Sequence, residues 1–422
     1  MIKKITTYII VLFLVGCFTS GNISYRNLSY LYKQDQTVVI PNYSLVNLRD
    51  STYRIFFAVS RKKILYTKSD LDKEFFTAKF GICCRVLDHY ETSISTDTIC
   101  ATFTDSAYNN VEKSFNGYFD IKSIKSSTTL LELIFTDLNR KQSHSSYIEV
   151  DGANKSNRYK FFVTSEDTTL PFFKNYFSAN ESLSIKHPDT KKIFVRYYEN
   201  NFRLAFPPFQ QTNMSTFNFT DDSVFIVQED KTPSFFSLSL EKEGIYYLQT
   251  DTNKKEGLAL FRFYSGFPTI NSVEQMLLPL QYITSKKEFE VLMAARDKKE
   301  AVDNFWLECA DNPERAKVMI KKFYTRVAQC NELFTSYLEG WKTDRGLIYL
   351  IYGTPNAVYR TSNSESWVYG EEQNLSSINF VFSKINNPFS DNDYELNRSS
   401  IYQNSWYTMV ESWRRGRVYS AN

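Results

Sequence analysis

The sequence predicts a multidomain protein. A mainly β N-terminal region, built as one or two antiparallel β-sandwiches, precedes a C-terminal α+β domain. Three observations carry this. At 422 residues the chain is too long for one ordinary core. Ahead of about residue 270 the apolar residues recur with period two, the spacing that puts alternate side chains on one face of a strand. Beyond Pro268 they recur at helical spacing and then return to alternation.

The strands follow in order. In "YRIFFAVS", Tyr53, Ile55, Phe57 and Val59 share a face; in "KFGICCRVLD", Phe80, Ile82, Cys84 and Val86 do; in "LLELIFTDLN", Leu131, Leu133 and Phe135 do. Turn residues separate these runs, as in an antiparallel sandwich over 37–153. The polar "EVDGANKSNRYK" holds an Asp-Gly and serves as a hairpin turn or a linker. Strands then resume, with Ile193, Val195 and Tyr197 aligned in "KKIFVRYY" and "SVFIVQ" after it. "GIYYLQTDTNKKEGLALFRFY" is a hairpin around a polar turn. These runs make a second, smaller β-domain over 154–268, one large sandwich being the alternative. Aromatic residues are 16% of the chain, which suits pleated packing and offers rings to a glycan.

The C-terminal domain, 269–422, opens with helices. Ser285 and Glu288 form a capping box. Phe289, Leu292, Met293, Val302, Phe305 and Trp306 make an apolar stripe that ends at Asp311–Pro313. A second helix from Glu314 repeats it through Val318, Met319, Phe323, Val327, Cys330, Leu333 and Phe334, so the two form a helical hairpin. "GLIYLIYG" then alternates Leu347, Tyr349 and Ile351 against Ile348, Leu350 and Tyr352, the pattern of a strand turned by Gly353, Thr354, Pro355 and Asn356. "SWVYG" and "INFVFSK" continue a small antiparallel sheet. "YQNSWYTMVESW" closes the domain as a helix presenting Trp406, Met409, Val410 and Trp413.

The N-terminus has the form of a signal peptide over 1–16: Lys3 and Lys4, then an apolar stretch from Ile5 to Gly16. That stretch is short for a transmembrane helix, and no second one of about 18 residues follows. It ends in "LVGC", which resembles the bacterial lipobox and implies lipidation at Cys17; small Gly16 before the Cys is the geometry the motif requires. Residues 17–36 are polar and are expected to form the lipidated Cys and a tether. Surface-exported lipoproteins of the Bacteroidetes group resemble one another in having acids close behind the lipidated Cys; here the first acid is Asp35, and that departure from their pattern implies an outer-membrane lipoprotein facing the periplasm.

Net charge is +3 with charges interspersed, so no nucleic-acid-binding face is implied. The basic run "WRRGR" at Trp413–Arg417 is expected to be solvated. Five cysteines follow Cys17, an odd number without a CxxC, so burial of Cys83, Cys84 and Cys100 as small hydrophobes is expected over a disulfide, although one of the first two can reach Cys100. Neither a metal site nor a cofactor is expected.

"GWKTD", Gly340 to Asp344, resembles the signature of the GWxTD-domain family of bacterial envelope proteins, frequent in Bacteroidetes and often lipoproteins. The resemblance extends over about 275–422. It includes Phe305–Trp306, "DNP" at Asp311–Pro313, and Tyr324, Arg326, Asn331 and Phe334 of "YTRVAQCNELF". It continues through "DRGLIYLIYGTPN" with Gly353 and Pro355, and the strands "SWVY", "NFVF" and "YEL". "ECADNP" departs from the family's simpler acidic-Pro turn. The resemblance implies an envelope protein without an established activity.

Each signature residue also has a structural task. Gly340 suits a left-handed helix C-cap, and Trp341 a buried body with one N–H to satisfy. Thr343 and Asp344 can bond nearby amides across a turn, and Arg345 can pair with an acid. The only histidines, His89, His144 and His187, lie in the β-region, so no Ser-His-Asp or Cys-His site forms within the C-terminal domain. Asp344 with Glu365 or Glu371 would be the carboxylate pair of a glycan-cleaving site. The expected function is a non-catalytic, lipid-anchored accessory or scaffold protein of an outer-membrane complex, using its β-domains and its C-terminal domain. Glycan binding or hydrolysis is the alternative.

Overall fold

The structure, a computed structural model, describes residues 22–33, 38–49, 52–68, 76–106, 113–122, 124, 128–151, 156–165, 170–179, 181–199, 204–211, 220–229, 235–371, 374 and 376–417. The expected signal peptide over 1–16 and the expected lipidation site at Cys17 lie outside the described residues.

The first β-region contains β1 (Asn42–Arg49), β2 (Thr52–Ser60), β3 (Thr67–Lys68), β4 (Phe76–Leu87), β5 (Asp97–Ser106), β6 (Ser114–Ile121), β7 (Thr128–Asp137) and β8 (Gln142–Asp151). One sheet runs β1-β2-β6; the other runs β3-β4-β7-β8, with β5 also on β4. The pairs are antiparallel. The faces read from period two meet as expected: Tyr53, Ile55, Phe57 and Val59 pack with Phe80, Ile82, Cys84, Val86, Leu131, Leu133 and Phe135. Cys83 points away from this core. The β4–β5 register sets it opposite Cys100, Cα atoms 4.1 Å apart, and the two form a disulfide. The expectation of three buried thiols is therefore corrected: only Cys84 of the three is free, and it is buried.

The second region contains β9 (Phe162–Thr164), β10 (Ser182–Lys186), β11 (Lys192–Glu199), β12 (Ser223–Gln228), β13 (Phe236–Ser239), β14 (Gly244–Gln249) and β15 (Leu258–Arg262). Its sheets, β13-β10-β9 and β12-β11-β14-β15, enclose a separate apolar cluster that includes Leu183, Ile185, Ile193, Val195, Phe236 and Leu248. β8 and β9 belong to different sheets, so "EVDGANKSNRYK" acts as a linker rather than a hairpin turn.

His187 sits in this region with its ring 4.7 Å from Phe161. The Asp189 N–H donates to its Nδ1, so the neutral ring carries its proton on Nε2, facing Asn157 Oδ1 at 3.1 Å. Burial holds its pKa down at about 4, although Asp189 pulls upward. The unfolded chain, with an ordinary His near 6.5, takes the proton first. Stability therefore falls as pH drops through the window from about 6.5 to about 4, by up to about 3 kcal/mol. Urea unfolding of the wild type and His187→Gln at pH 7 and pH 4 checks this; the variant is expected to lose less stability between the two.

The C-terminal region contains α1 (Val273–Leu277), α2 (Lys286–Ala294), α3 (Lys298–Ala310), α4 (Pro313–Phe334), α5 (Asp344–Tyr352), β16 (Ala357–Arg360), β17 (Ser364–Tyr369), β18 (Ile378–Lys384), β19 (Tyr394–Leu396) and α6 (Gln403–Arg414). The capping box at Ser285 is present. Asp297 caps α3 and divides what the apolar pattern joined into one helix. Asn312 caps α4, with Pro313 in its first turn, so α3 and α4 form the expected hairpin. Met293 and Val318 leave the predicted stripe, at 40% and 65% exposure. Each neighbours a buried residue, Leu292 or Met319, and adjacent helical residues do not share a face.

Three further expectations are corrected. Residues 344–352 form a helix, not a strand: the Thr343 hydroxyl accepts from Gly346 N–H as an N-cap, and every residue of α5 is buried. The "WRRGR" run is not simply solvated, because Trp413 is buried and Arg414 Nη2 pairs with Glu288 at 2.6 Å. Within 22–33 the expected tether is docked structure. Two 3-10 turns, Ile23–Tyr25 and Ser29–Tyr32, place Ile23, Leu28 and Tyr32 in the C-terminal core, beside Leu87, Tyr90 and Leu130 of the first sandwich. Leu28 N–H donates to Val358 O at 2.8 Å, and Val358 N–H to the Asn27 side chain at 3.1 Å, so the segment follows the edge of β16.

Candidate functional site

The signature is built on three pieces of backbone in contact. After α4, a 3-10 turn at Gly340–Lys342 leads through Thr343 into α5. A Cβ on Gly340 would lie 1.8 Å from Cys330 O, and one on Gly346 would lie 1.8 Å from Gly340 O. Glycine is needed at 340 for close approach, and the expected left-handed C-cap role is corrected, since Gly340 is not among the positive-φ residues. Trp341 is buried, its ring 6.0 Å from Tyr282. Thr343 Oγ1 donates to Gly340 O at 2.7 Å while accepting from Gly346. The turn is thus tied to itself and to α4.

Asp344 reaches much further than the local amides expected for it. Its Oδ2 accepts from Leu396 N–H at 2.7 Å and from Arg398 Nη1 at 3.0 Å. Burial pushes its carboxyl pKa up, against the pull of Arg398 and that N–H. Arg345 pairs with Glu365 Oε2 at 3.2 Å, as an acid partner was expected. Its guanidinium also donates to Asn392 O and lies 4.0 Å over the Tyr394 ring. Each carboxylate therefore has its own guanidinium. Asp344 is paired with Arg398 and Glu365 with Arg345, and Glu371 is exposed.

Glu365 is the centre of a buried cluster. Its Oε2 takes Arg360 at 3.0 Å besides Arg345; its Oε1 accepts from Trp367 Nε1 at 2.6 Å and from the Tyr32 hydroxyl. Burial alone would raise its pKa, but Arg360 and Arg345 hold the carboxyl below the usual carboxylate range. Arg360 in turn donates to Tyr32 Oη at 2.8 Å. Phe334 supports the cluster, its ring 5.3 Å from Tyr32 and 5.4 Å from Trp367. Residues from the N-terminal segment, α4, α5, β16 and β17 converge here.

The remaining residues singled out by sequence serve the same frame. The Asn331 amide donates to Tyr264 Oη and Pro268 O and accepts weakly from Trp341 N–H, linking α4 to the chain leaving β15. Arg326 donates to Leu350 O and Ile351 O, the free carbonyls at the end of α5, and lies 5.1 Å from the Trp413 ring. Gly353 follows with φ of 86°, and a Cβ there would meet Arg326. Pro355 is buried in the next turn. Phe305 and Trp306 are buried in the hairpin, with Trp306 Nε1 donating to Tyr324 Oη and Tyr324 to Met276 O.

Sequence reasoning missed Arg360, Asn392, Arg398 and Tyr32 as members of the site, and it offered Glu365 only as a carboxylate partner of Asp344, not as the anion shared by Arg345 and Arg360. One signal was present: in "SESWVY" Glu365 shares a face with Trp367, and a carboxylate on a core face needs a buried partner. A cleft of about 740 Å³ lies between β11, β14 and the loop at Asn386–Phe389. Its Tyr198, Tyr247 and Phe389 are at most 6% exposed and pack on one another, so they offer no open ring face to a sugar.

Residues 244–415 match the GWxTD domain family. No curated protein matches the chain. The matched range opens at β14, ahead of the boundary expected at 269. Packing gives the reason: the outer face of the β14–β15 hairpin, with Ile245, Tyr247 and Phe261, meets Phe389 of the C-terminal region. The C-terminal part of this chain, residues 244–415, is a GWxTD domain.

Proposed function

We propose that this protein is a lipid-anchored accessory or scaffold component of the outer membrane, facing the periplasm, that binds other envelope proteins through its β-domains and its GWxTD domain without catalysing a reaction. One observation carries the reading. The signature side chains are committed to bonds inside the GWxTD domain, and other side chains hold the N-terminal segment, the first sandwich and that domain together. Arg26 Nη1 pairs with Glu132 of β7 at 2.8 Å, Tyr32 bonds Glu365, and Lys384 of β18 pairs with Glu149 of β8. A motif spent on internal structure, in a chain whose modules are bonded to one another, suits a protein that presents surfaces to partners.

In-cell crosslinking followed by partner identification tests the reading. The expected result is recovery of one or more envelope proteins in fixed proportion. A monomer that never co-purifies with another protein after gentle detergent extraction would sink it. The anchor has its own test: labelled palmitate is expected in the wild type, and Cys17→Ser is expected to lose the label and leave the membrane fraction.

A further inference from the structure

The docked N-terminal segment fixes where a lipid at Cys17 would leave the molecule. The described chain starts at Asn22, and the Ile23–Tyr25 turn is bonded in place: Ser24 N–H donates to Tyr90 O at 3.1 Å. Five residues of fully extended chain span at most about 18 Å. The bilayer surface must therefore lie within that reach of Asn22, and few orientations of the folded body satisfy this.

A loop of the first sandwich borders the same exit point. Arg26 and Arg85 hold the two oxygens of Glu132, at 2.8 and 2.6 Å, and Arg85 also donates to Ser93 O at 2.9 Å. Glu91 of this loop accepts from Ser362 N–H at 3.1 Å, which ties the loop to the β16–β17 turn. Turn and loop form one braced surface. It carries two of the most exposed large apolar side chains among the described residues, Tyr25 at 79% and Ile94 at 77%. Both cost free energy in water, and a ring with a polar tip such as Tyr is at home at the headgroup level.

We propose that the face made by the Ile23–Tyr25 turn and the Ile94 loop lies against the bilayer that holds the anchor, with Tyr25 and Ile94 seated in its interfacial layer. This rests on the lipid-anchor reading above. It gives the anchor a structural partner: the lipid supplies the binding free energy, and the two side chains set the orientation. The β16 edge, to which residues 27 and 28 are bonded, then stands next to the membrane.

The test uses the full-length lipidated protein in vesicles of phosphatidylethanolamine and phosphatidylglycerol. Cys84, Cys309 and Cys330 are buried, so a thiol-reactive fluorophore will favour an introduced surface cysteine. It is placed at Tyr25→Cys, Ile94→Cys and, as a control, Val318→Cys, which is 65% exposed on α4. The expected result is a blue-shifted emission, quenched by brominated lipids, at 25 and 94, with aqueous emission at 318. Palmitate incorporation is measured on the same samples. If palmitate is incorporated and the probes at 25 and 94 stay aqueous, the orientation proposal is overturned alone. If palmitate is not incorporated at Cys17, the anchor reading falls and takes this proposal with it.

Discussion

Gly340→Ala is expected to destabilise the GWxTD domain by about 3 kcal/mol or more. Intrinsic preference points the other way: where backbone conformation allows it, replacing Gly by Ala gains about 0.4–1 kcal/mol by restricting the unfolded chain. Packing decides the sign. The added Cβ falls 1.8 Å from Cys330 O and 2.4 Å from Cys330 C, and both are backbone atoms in α4 that no rotamer change can move. Relief requires the 3-10 turn to separate from α4, which breaks the Trp341 and Asn331 contacts with it. Gly346→Ala meets Gly340 O at 1.8 Å and is expected to behave likewise, despite lying in a helix. Gly81→Ala in β4 is the control, because its nearest neighbour would be Ala101 O at an ordinary 3.8 Å. Urea unfolding followed by tryptophan fluorescence suits the measurement, since all five tryptophans lie in 306–413 and report on this domain. Equal stability of Gly340→Ala and wild type would refute the backbone-contact account.

Glu365→Gln is expected to cost about 3–5 kcal/mol, the usual penalty for leaving a buried charge without its partner. Here two guanidiniums, Arg345 and Arg360, lose their anion together, in surroundings where Glu365 is 0% exposed. Tyr32→Phe removes only a hydroxyl from the same cluster and is expected to cost about 1 kcal/mol. The acid dependence follows from the sign of the Glu365 shift. Its folded pKa lies below the unfolded value near 4.3, so its contribution is present above that pH and is lost as pH falls through the folded value. Glu365→Gln should lack this component. A second readout is tryptic cleavage after Arg26 or Lys33, which is expected to accelerate in Glu365→Gln as the docked segment loses its hold. Unchanged cleavage and stability would show that the cluster does not clasp the segment.

The β-region was largely legible because apolar residues fill one face of its strands in alternation, as with Ile55 in β2 or Leu133 in β7, and period two records that even where the other face is covered too. The α3–α4 hairpin was legible for the same reason at helical spacing, with Asn312 and Pro313 marking the second start. α5 was not, because a helix buried on all sides has no polar face to give it a period, and its run of Leu, Ile and Tyr reads as a strand. The cue was local: Thr343 as an N-cap, followed by Asp344 in the first turn. For the site, the sequence located the signature and assigned structural tasks to it. It named Glu365 but not its bond to Arg345, and it did not locate Arg398 or Tyr32; these bonds cross 20, 54 and 333 residues. Nor did period two reveal that Cys83 meets Cys100, because register between strands is set by the whole ladder.

The clasp at Tyr32 also separates the family unit from the folding unit. A fragment of 244–415 would carry Glu365, Phe334 and Trp367 but not the ring and hydroxyl that complete their packing, nor Ile23 and Leu28. In a chain made from its N-terminus, that segment emerges first and finds its seat only when β16 and β17 exist, hundreds of residues later. Closing so long a loop is an entropic step that grows slowly with length but has no local reward along the way. The two ends of the polypeptide therefore mature together. Until they do, the GWxTD domain keeps an unfilled apolar seat where Ile23, Leu28 and Tyr32 will pack, an interval in which it is exposed to wrong contacts.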